Sequence, residues 1–122
     1  MDACRALTLN DIPRMVEINE QGLPGTGKVS HQEMADLLGL SELALGLDNE
    51  RGLAGFVLCL LPGTRYGSLN YAWFNQRLEQ FLYVDRVAVA DEARNGGIGS
   101  LLYQSVIAHA HRLDCPVTAE VS

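Results

Sequence analysis

The chain is predicted to fold as one α/β (α+β) domain, built on a mixed sheet with a central strand-turn-helix-strand unit. Three observations predict it. Phe81 to Ala90 is an almost unbroken run of β-favouring apolar residues, and Ile98 to Leu113 places Ile98, Leu102, Val106, Ala110 and Leu113 on one helical face. A glycine-rich turn joins the two, and Val117 to Val121 follows as a further strand. Strand, crossover helix and strand make a βαβ unit, in which the two strands pair in parallel.

The elements before this unit follow from local chemistry. Cys4 to Leu9 reads as a short first strand. Asn10 or Asp11 then caps a helix with Pro13 in its first turn and with Ile12, Met15, Val16 and Asn19 on one face, ending near Gly22. Leu23 to Gly27 reads as a loop. Ser30 with Glu33 three residues on forms a capping-box signature ahead of Met34, Leu37 and Leu38. Ser41 to Leu47 and Leu53 to Leu61 read as a hairpin around the turn Asp48 to Gly52, closed by Pro62-Gly63. Thr64 to Gln80 is expected to be an inserted loop and helix, because Tyr71, Phe74, Leu78 and Phe81 recur at near-helical spacing. Tyr71, Trp73 and Phe74 are read as a satellite hydrophobic cluster in preference to a pocket roof.

Composition narrows the function classes. With 122 residues and 48% hydrophobic content, the chain has enough material for one core, and residues 1–122 are taken as one domain. The net charge of −6, with Lys28 as the only lysine, argues against nucleic-acid binding and favours cationic or amine-bearing partners at long range. Cys4, Cys59 and Cys115 are odd in number and form no C-x-x-C pair, so neither a disulfide framework nor a zinc site is indicated and a cytoplasmic location is expected. The start of the chain lacks a signal-peptide pattern, and the longest apolar run, near Phe56 to Leu61, is too short to span a bilayer. His109 and His111 point about 200° apart on a helix and cannot chelate one ion together, so no metal site is expected.

The chemistry is expected in the turn Arg94-Asn95-Gly96-Gly97-Ile98-Gly99-Ser100. A helix start leaves about four N–H groups without intrahelical partners and carries roughly half a positive charge, which makes it an anion site. Gly96, Gly97 and Gly99 remove side chains that would keep a pyrophosphate away, and Arg94 adds a charge-assisted contact. A purely structural role would make Asn95-Gly96 a tight turn and Gly99 a close packing point. A second phosphate-like signal, Gly22 to Lys28, has the spacing G-x-x-x-x-G-K, but Val29 stands where Ser or Thr would bind magnesium and the preceding segment reads as a helix. A Rossmann-like dinucleotide domain would place its glycine turn near the first strand, and here the turn is late.

The pattern R-x-x-G-x-G, directly after a hydrophobic strand and opening an amphipathic helix, resembles the GNAT superfamily of acetyltransferases. The resemblance is specific over Phe81 to Ser122 and rests elsewhere on element order. It implies a GNAT-like mixed sheet, with acetyl-coenzyme A as acyl donor and its pyrophosphate on the Arg94 to Ser100 turn. It also implies pantetheine contacts from the backbone of the Val87-Ala88-Val89 stretch, Val87 and Val89 among them. The implied activity is an acyl-coenzyme A-dependent N-acetyltransferase acting on a primary amine of a small molecule or peptide. The alternative is a non-catalytic acyl-coenzyme A binding module or an incomplete fragment.

Direct transfer to an amine needs a base for the ammonium. By the two-residue period of a strand, Tyr83, Asp85, Val87 and Val89 are expected to share one face, which makes Asp85 the first choice of base. Its competing role is an ion pair with a neighbouring arginine, such as Arg86's cross-strand partner or Arg94. Tyr83 is the second choice, better suited to line the pocket because an ordinary tyrosine titrates near about 10. Relatives of the family continue into a further helix and two strands that supply the general acid, so the domain reads as truncated after its fifth strand. An uncovered strand edge and apolar face would then favour a homodimer.

Overall fold

A computed structural model describes residues 4–22, 27–65 and 69–119. Strand β1 (Arg5–Ala6) leads through a 3-10 turn (Leu9–Asp11) into α1 (Ile12–Gln21), followed by α2 (His31–Leu40). The hairpin β2 (Leu43–Asn49) and β3 (Gly52–Leu60) comes next, then α3 (Leu69–Arg77) and β4 (Leu82–Val89). A second 3-10 turn (Asp91–Ala93) precedes α4 (Ile98–Leu113) and β5 (Val117–Ala119). The strands form one sheet in the order β1-β2-β3-β4-β5. The first three pairings are antiparallel and β4-β5 is parallel, which bears out the βαβ expectation.

The helices form where the local chemistry places them. Ser30 Oγ accepts from Glu33 N at 3.0 Å while Glu33 Oε1 accepts from Ser30 N at 2.9 Å, so the capping box starts α2 as read. Helix α1 begins after Asp11 with Pro13 in its first turn and ends at Gly22. The first strand is shorter than expected, because Thr8 N donates to Asp11 Oδ2 at 2.8 Å and curls the chain into the 3-10 turn. Arg5 then ties that turn to the hairpin, donating to Asp11 and to Asp48.

Two cores lie on opposite faces of the sheet. One is built from α1, α2 and α3: Met15, Ile18, Met34, Phe56, Leu58, Tyr71, Phe81 and Tyr83. The other lies beneath α4: Leu47, Val57, Cys59, Leu82, Val84, Leu102 and Val106. Leu53 to Leu60 of β3 are all buried, because this strand is covered on both faces. The expected satellite cluster is continuous with the first core. Tyr71 stacks edge-on against Phe81 and Tyr83, with ring centroids 5.8 and 5.6 Å apart, and its hydroxyl donates to Leu61 O. Trp73 is half exposed, with the Arg77 guanidinium 4.1 Å over its ring. Among the described residues, no helix is long and apolar enough to cross a membrane.

Helix α4 sits low on the sheet because Gly55 has no side chain. A Cβ there would come within 2.8 Å of Ile98 Cγ2 and 3.1 Å of Ala88 O. Gly55→Ala is therefore expected to destabilise the protein by about 1–3 kcal/mol, read as a lower urea midpoint. Gly39→Ala in α2, where a Cβ meets nothing within 4 Å, is expected to gain roughly 0.5–1 kcal/mol in the same experiment.

The same core sets the chemistry of Cys59. Burial, and secondarily the negative charge of Asp85, push its thiol up to about 12. A thiol raised in the folded state holds its proton there and releases it on unfolding. Its stabilising contribution is thus full below the ordinary value of 9.0 and is lost as pH rises from there toward about 12. In the folded protein at pH 8, a thiol reagent is expected to modify Cys4 and Cys115 and to spare Cys59, with all three reacting in urea.

Candidate functional site

The start of α4 has the backbone features that sequence reasoning expects of an anion site. Asn95 and Gly97 both adopt the left-handed conformation, with φ of 70° and 81°, and turn the chain from the second 3-10 turn into the helix. Gly97 caps the helix without a side-chain hydrogen bond, and the first turn carries no acidic residue. The first helical bond runs from Leu101 N to Gly97 O at 3.1 Å. The N–H groups of Ile98, Gly99 and Ser100 therefore have no helical acceptor.

The glycines here are not explained by packing alone. A Cβ on Gly97 would meet nothing within 4 Å, and one on Gly99 would meet only Val89 Cγ2 at 4.0 Å. The space above the turn is open, which disfavours Gly99 as a close packing point. Gly96 is tighter, since a Cβ there would lie 3.3 Å from Ala93 O.

Arg94 stands half exposed on the rim of the turn. Its Nη2 lies 3.1 Å from Asp91 Oδ1, and it reaches Val89 O and Gln21 O only at 3.5 and 3.4 Å. Gln21 Oε1 also accepts from Asp91 N at 2.8 Å, so the end of α1 is tied to the turn.

The turn lies beside a stretch of β4 edge that has no strand partner among the described residues. Ala90 N donates to Ala54 O at 2.8 Å, which directs the main chain of Ala90, and by ladder alternation that of Ala88, toward β3. Val87 and Val89 consequently direct their N–H and C=O groups to the opposite edge. There, among the described residues, β5 pairs only as far as Val84. The side chains of Val87 and Val89 pack against the core beneath α4. An extended chain carrying amides and ending in a pyrophosphate would find hydrogen-bonding groups along this edge and N–H donors at its end.

The expected single face of Tyr83, Asp85, Val87 and Val89 is corrected by the structure. Along β4 the register skips one residue: Leu58 pairs with Arg86 while Cys59 pairs with Val84, which leaves Asp85 as the extra residue of a β-bulge. The bulge reverses the alternation. Tyr83 faces the core of α1, α2 and α3, whereas Val87 and Val89 face α4.

Asp85 is held at the point of reversal. Its Oδ2 accepts from Arg86 Nε at 2.8 Å, with the two side chains only 4% and 8% exposed. The ion pair considered from sequence thus exists, with Arg86 as the partner in place of Arg94. Arg86 Nη1 also donates to Asn19 Oδ1 and to Gly27 O, each at 3.0 Å. Sequence reasoning gave Asn19 and Arg86 no role at the site; the one signal was a polar residue on the apolar face of α1. Tyr83 is 2% exposed against the Tyr71 and Phe74 rings, 5.6 and 5.9 Å away between centroids.

Other residues noted from sequence lie apart from this region. His109 sits at the rim of α4 with Nε2 2.9 Å from Glu42 Oε2, and His111 is exposed. The Gly22 to Lys28 segment follows a helix, as read, and Leu23 to Thr26 lie outside the described residues.

Solved structures share this fold. The chain is similar to a transcriptional regulator from Bacillus halodurans at 16% identity and a TM-score of 0.72, covering 100% of this chain and 83% of that one. It is similar to the ribosomal-protein-S18-alanine N-acetyltransferase from Escherichia coli at 17% identity and a TM-score of 0.73, covering 99% and 67%. It is also similar to an aminoglycoside antibiotic 6'-N-acetyltransferase from Acinetobacter baumannii at 17% identity and a TM-score of 0.70, covering 100% and 80%. Comparison with curated proteins gives no sequence match. The sequence profile of the Acetyltransferase (GNAT) family matches residues 15–122, from the middle of α1 through the glycine turn and β5, and the chain belongs to that family.

Proposed function

We propose that this chain is an N-acetyltransferase that takes the acetyl group from acetyl-coenzyme A and delivers it to a primary amine of a small molecule or peptide. The observation that carries this reading is the continuity of two features: the start of α4 at Gly97, without a side-chain cap and with Arg94 on its rim, and the edge of β4 at Val87 and Val89, which has no strand partner among the described residues. Bound acetyl-coenzyme A supplies the electrophilic thioester. The N–H groups of Ile98, Gly99 and Ser100 and the Arg94 guanidinium hold the pyrophosphate, Asn95 and Gly96 shape the turn, and the Val87 and Val89 backbone aligns the pantetheine arm.

Asp85 is the base that takes the proton of the incoming ammonium. Its Oδ2 is engaged by Arg86, and its Oδ1 has no hydrogen-bond partner among the described residues. Tyr83, buried among aromatic rings, contributes a wall on the acceptor side. Two of the similar folds are named as N-acetyltransferases, one for a protein alanine and one for an aminoglycoside, which supports an amine acceptor and leaves both sizes of acceptor open. Three free cysteines agree with a reducing cytoplasm.

Calorimetric titration with coenzyme A is expected to show saturable binding that Gly97→Glu abolishes and Arg94→Ala weakens by about tenfold or more, with both variants folded by circular dichroism. Binding that survives both changes would make the turn merely structural. Free thiol released from acetyl-coenzyme A by a panel of amines is expected with the wild type. Binding without thiol release would identify a non-catalytic module, which the burial of Asp85 would then explain.

A further inference from the structure

Asn19 is fully buried on the side of α1 that carries Met15, Val16 and Ile18, where a hydrocarbon would pack at no polar cost. Its amide instead bridges two elements: Nδ2 donates to Gly27 O at 2.9 Å and Oδ1 accepts from Arg86 Nη1 at 3.0 Å. Arg86 in turn gives Nη1 to Gly27 O and Nε to Asp85 Oδ2. Burying a guanidinium and a carboxylate costs several kcal/mol of hydration per ion, and well-packed hydrocarbons of similar volume often stabilise a fold as well or better. Stability alone therefore gives no reason for these charges.

Their arrangement has a geometric consequence. Asp85 is the extra residue of the bulge, so the pleat of β4 does not fix the direction of its side chain. The planar fork of Arg86 fixes it: Nε takes one carboxylate oxygen, while Asn19 and the Gly27 carbonyl hold the far end of the fork. Arginine stays charged at every working pH, so the engaged oxygen remains an acceptor and the other is left to receive a proton. We propose that Asn19 and Arg86 are positioning residues that orient the Asp85 carboxylate toward the acceptor amine. This rests on the reading of Asp85 as the base.

The test compares the full chain with Asn19→Leu, Arg86→Lys, Asp85→Asn and the Asn19→Leu/Asp85→Asn double variant. Coenzyme A affinity is measured by calorimetry, folding by thermal unfolding, and kcat and KM by thiol release. Asn19→Leu is close to isosteric and leaves the Arg86–Gly27 bond in place, so it keeps the test available if changes at Arg86 prevent folding. Asn19→Leu is expected to hold coenzyme A within about threefold of wild type. Its kcat should fall on the order of a hundredfold, the scale of a misplacement of about 1 Å. Arg86→Lys keeps the charge and loses the fork, and is expected to lose kcat without losing coenzyme A. In the Asp85→Asn background, Asn19→Leu should have no further effect on kcat.

Wild-type kcat in folded Asn19→Leu overturns the proposal. So does an equal loss in both backgrounds, which is the signature of a role independent of Asp85. Failure of the parent reading looks different. Asp85→Asn at wild-type kcat removes Asp85 as base and this proposal with it, while acetyl transfer stands. A wild type that binds coenzyme A and releases no thiol with any amine removes both.

Discussion

The architecture depends on one irregularity in the ladder between β3 and β4. A strand buried on both faces cannot accept an extra residue without reversing its side-chain alternation, and β4 does this at Asp85. Upstream of the bulge, Leu82 and Val84 face α4 and Tyr83 faces the other helices; downstream, Val87 and Val89 face α4 and Ala88 faces away. The reversal falls where the described pairing with β5 stops, so the buried ion pair lies next to the last described β5 contact. A regular strand would have placed Asp85 on the same side as Tyr83, against the aromatic rings, where an unpaired carboxylate is costly.

Electrostatics and packing divide the labour across the sheet. The α4 side is apolar down to Cys59, whose thiol burial keeps protonated through the working range, and it offers free main-chain donors at the helix start. The opposite side holds a buried charge network, from Asp85 through Arg86 to Asn19. In the proposed reaction an acyl donor would be met by backbone dipoles and an acceptor by a side-chain charge. Backbone donors fixed by a helix cost no reorganisation when a charged group arrives, and the carboxylate offers an amine a counter-charge in a medium of low polarity.

Much of this was readable because local rules decide it. Ser30 and Glu33 announce the start of α2, and the interval from Ile98 to Leu113 emerges with its bounds unchanged, because Gly97 and Asp114 are conformational stops at both ends. The turn at Arg94 to Gly99 was legible because glycine carries a backbone meaning that can be read without neighbours. The bulge was not. Apart from Asp85 and Arg86, Phe81 to Ala90 is apolar on both faces, so its sequence is compatible with either alternation, and a charged pair alone does not announce a slipped register. The bond between Asn19 and Arg86 spans 67 positions, beyond any spacing rule. The first strand was overextended because Asp11, read as a helix cap, also captures Thr8 and Arg5.

The last turn of α1 carries two attachments only two residues apart: Asn19 reaches inward to Arg86, and Gln21 reaches the residues ahead of the glycine turn. Each helical residue advances about 1.5 Å and rotates about 100°, so α1 works as a gauge block that sets the spacing and bearing between the Asp85–Arg86 pair and the glycine turn, the two ends of the proposed site. Lengthening or shortening this helix by one residue ahead of Asn19 would swing both attachments out of reach together, so the spacing of the two ends is held by the length of one helix.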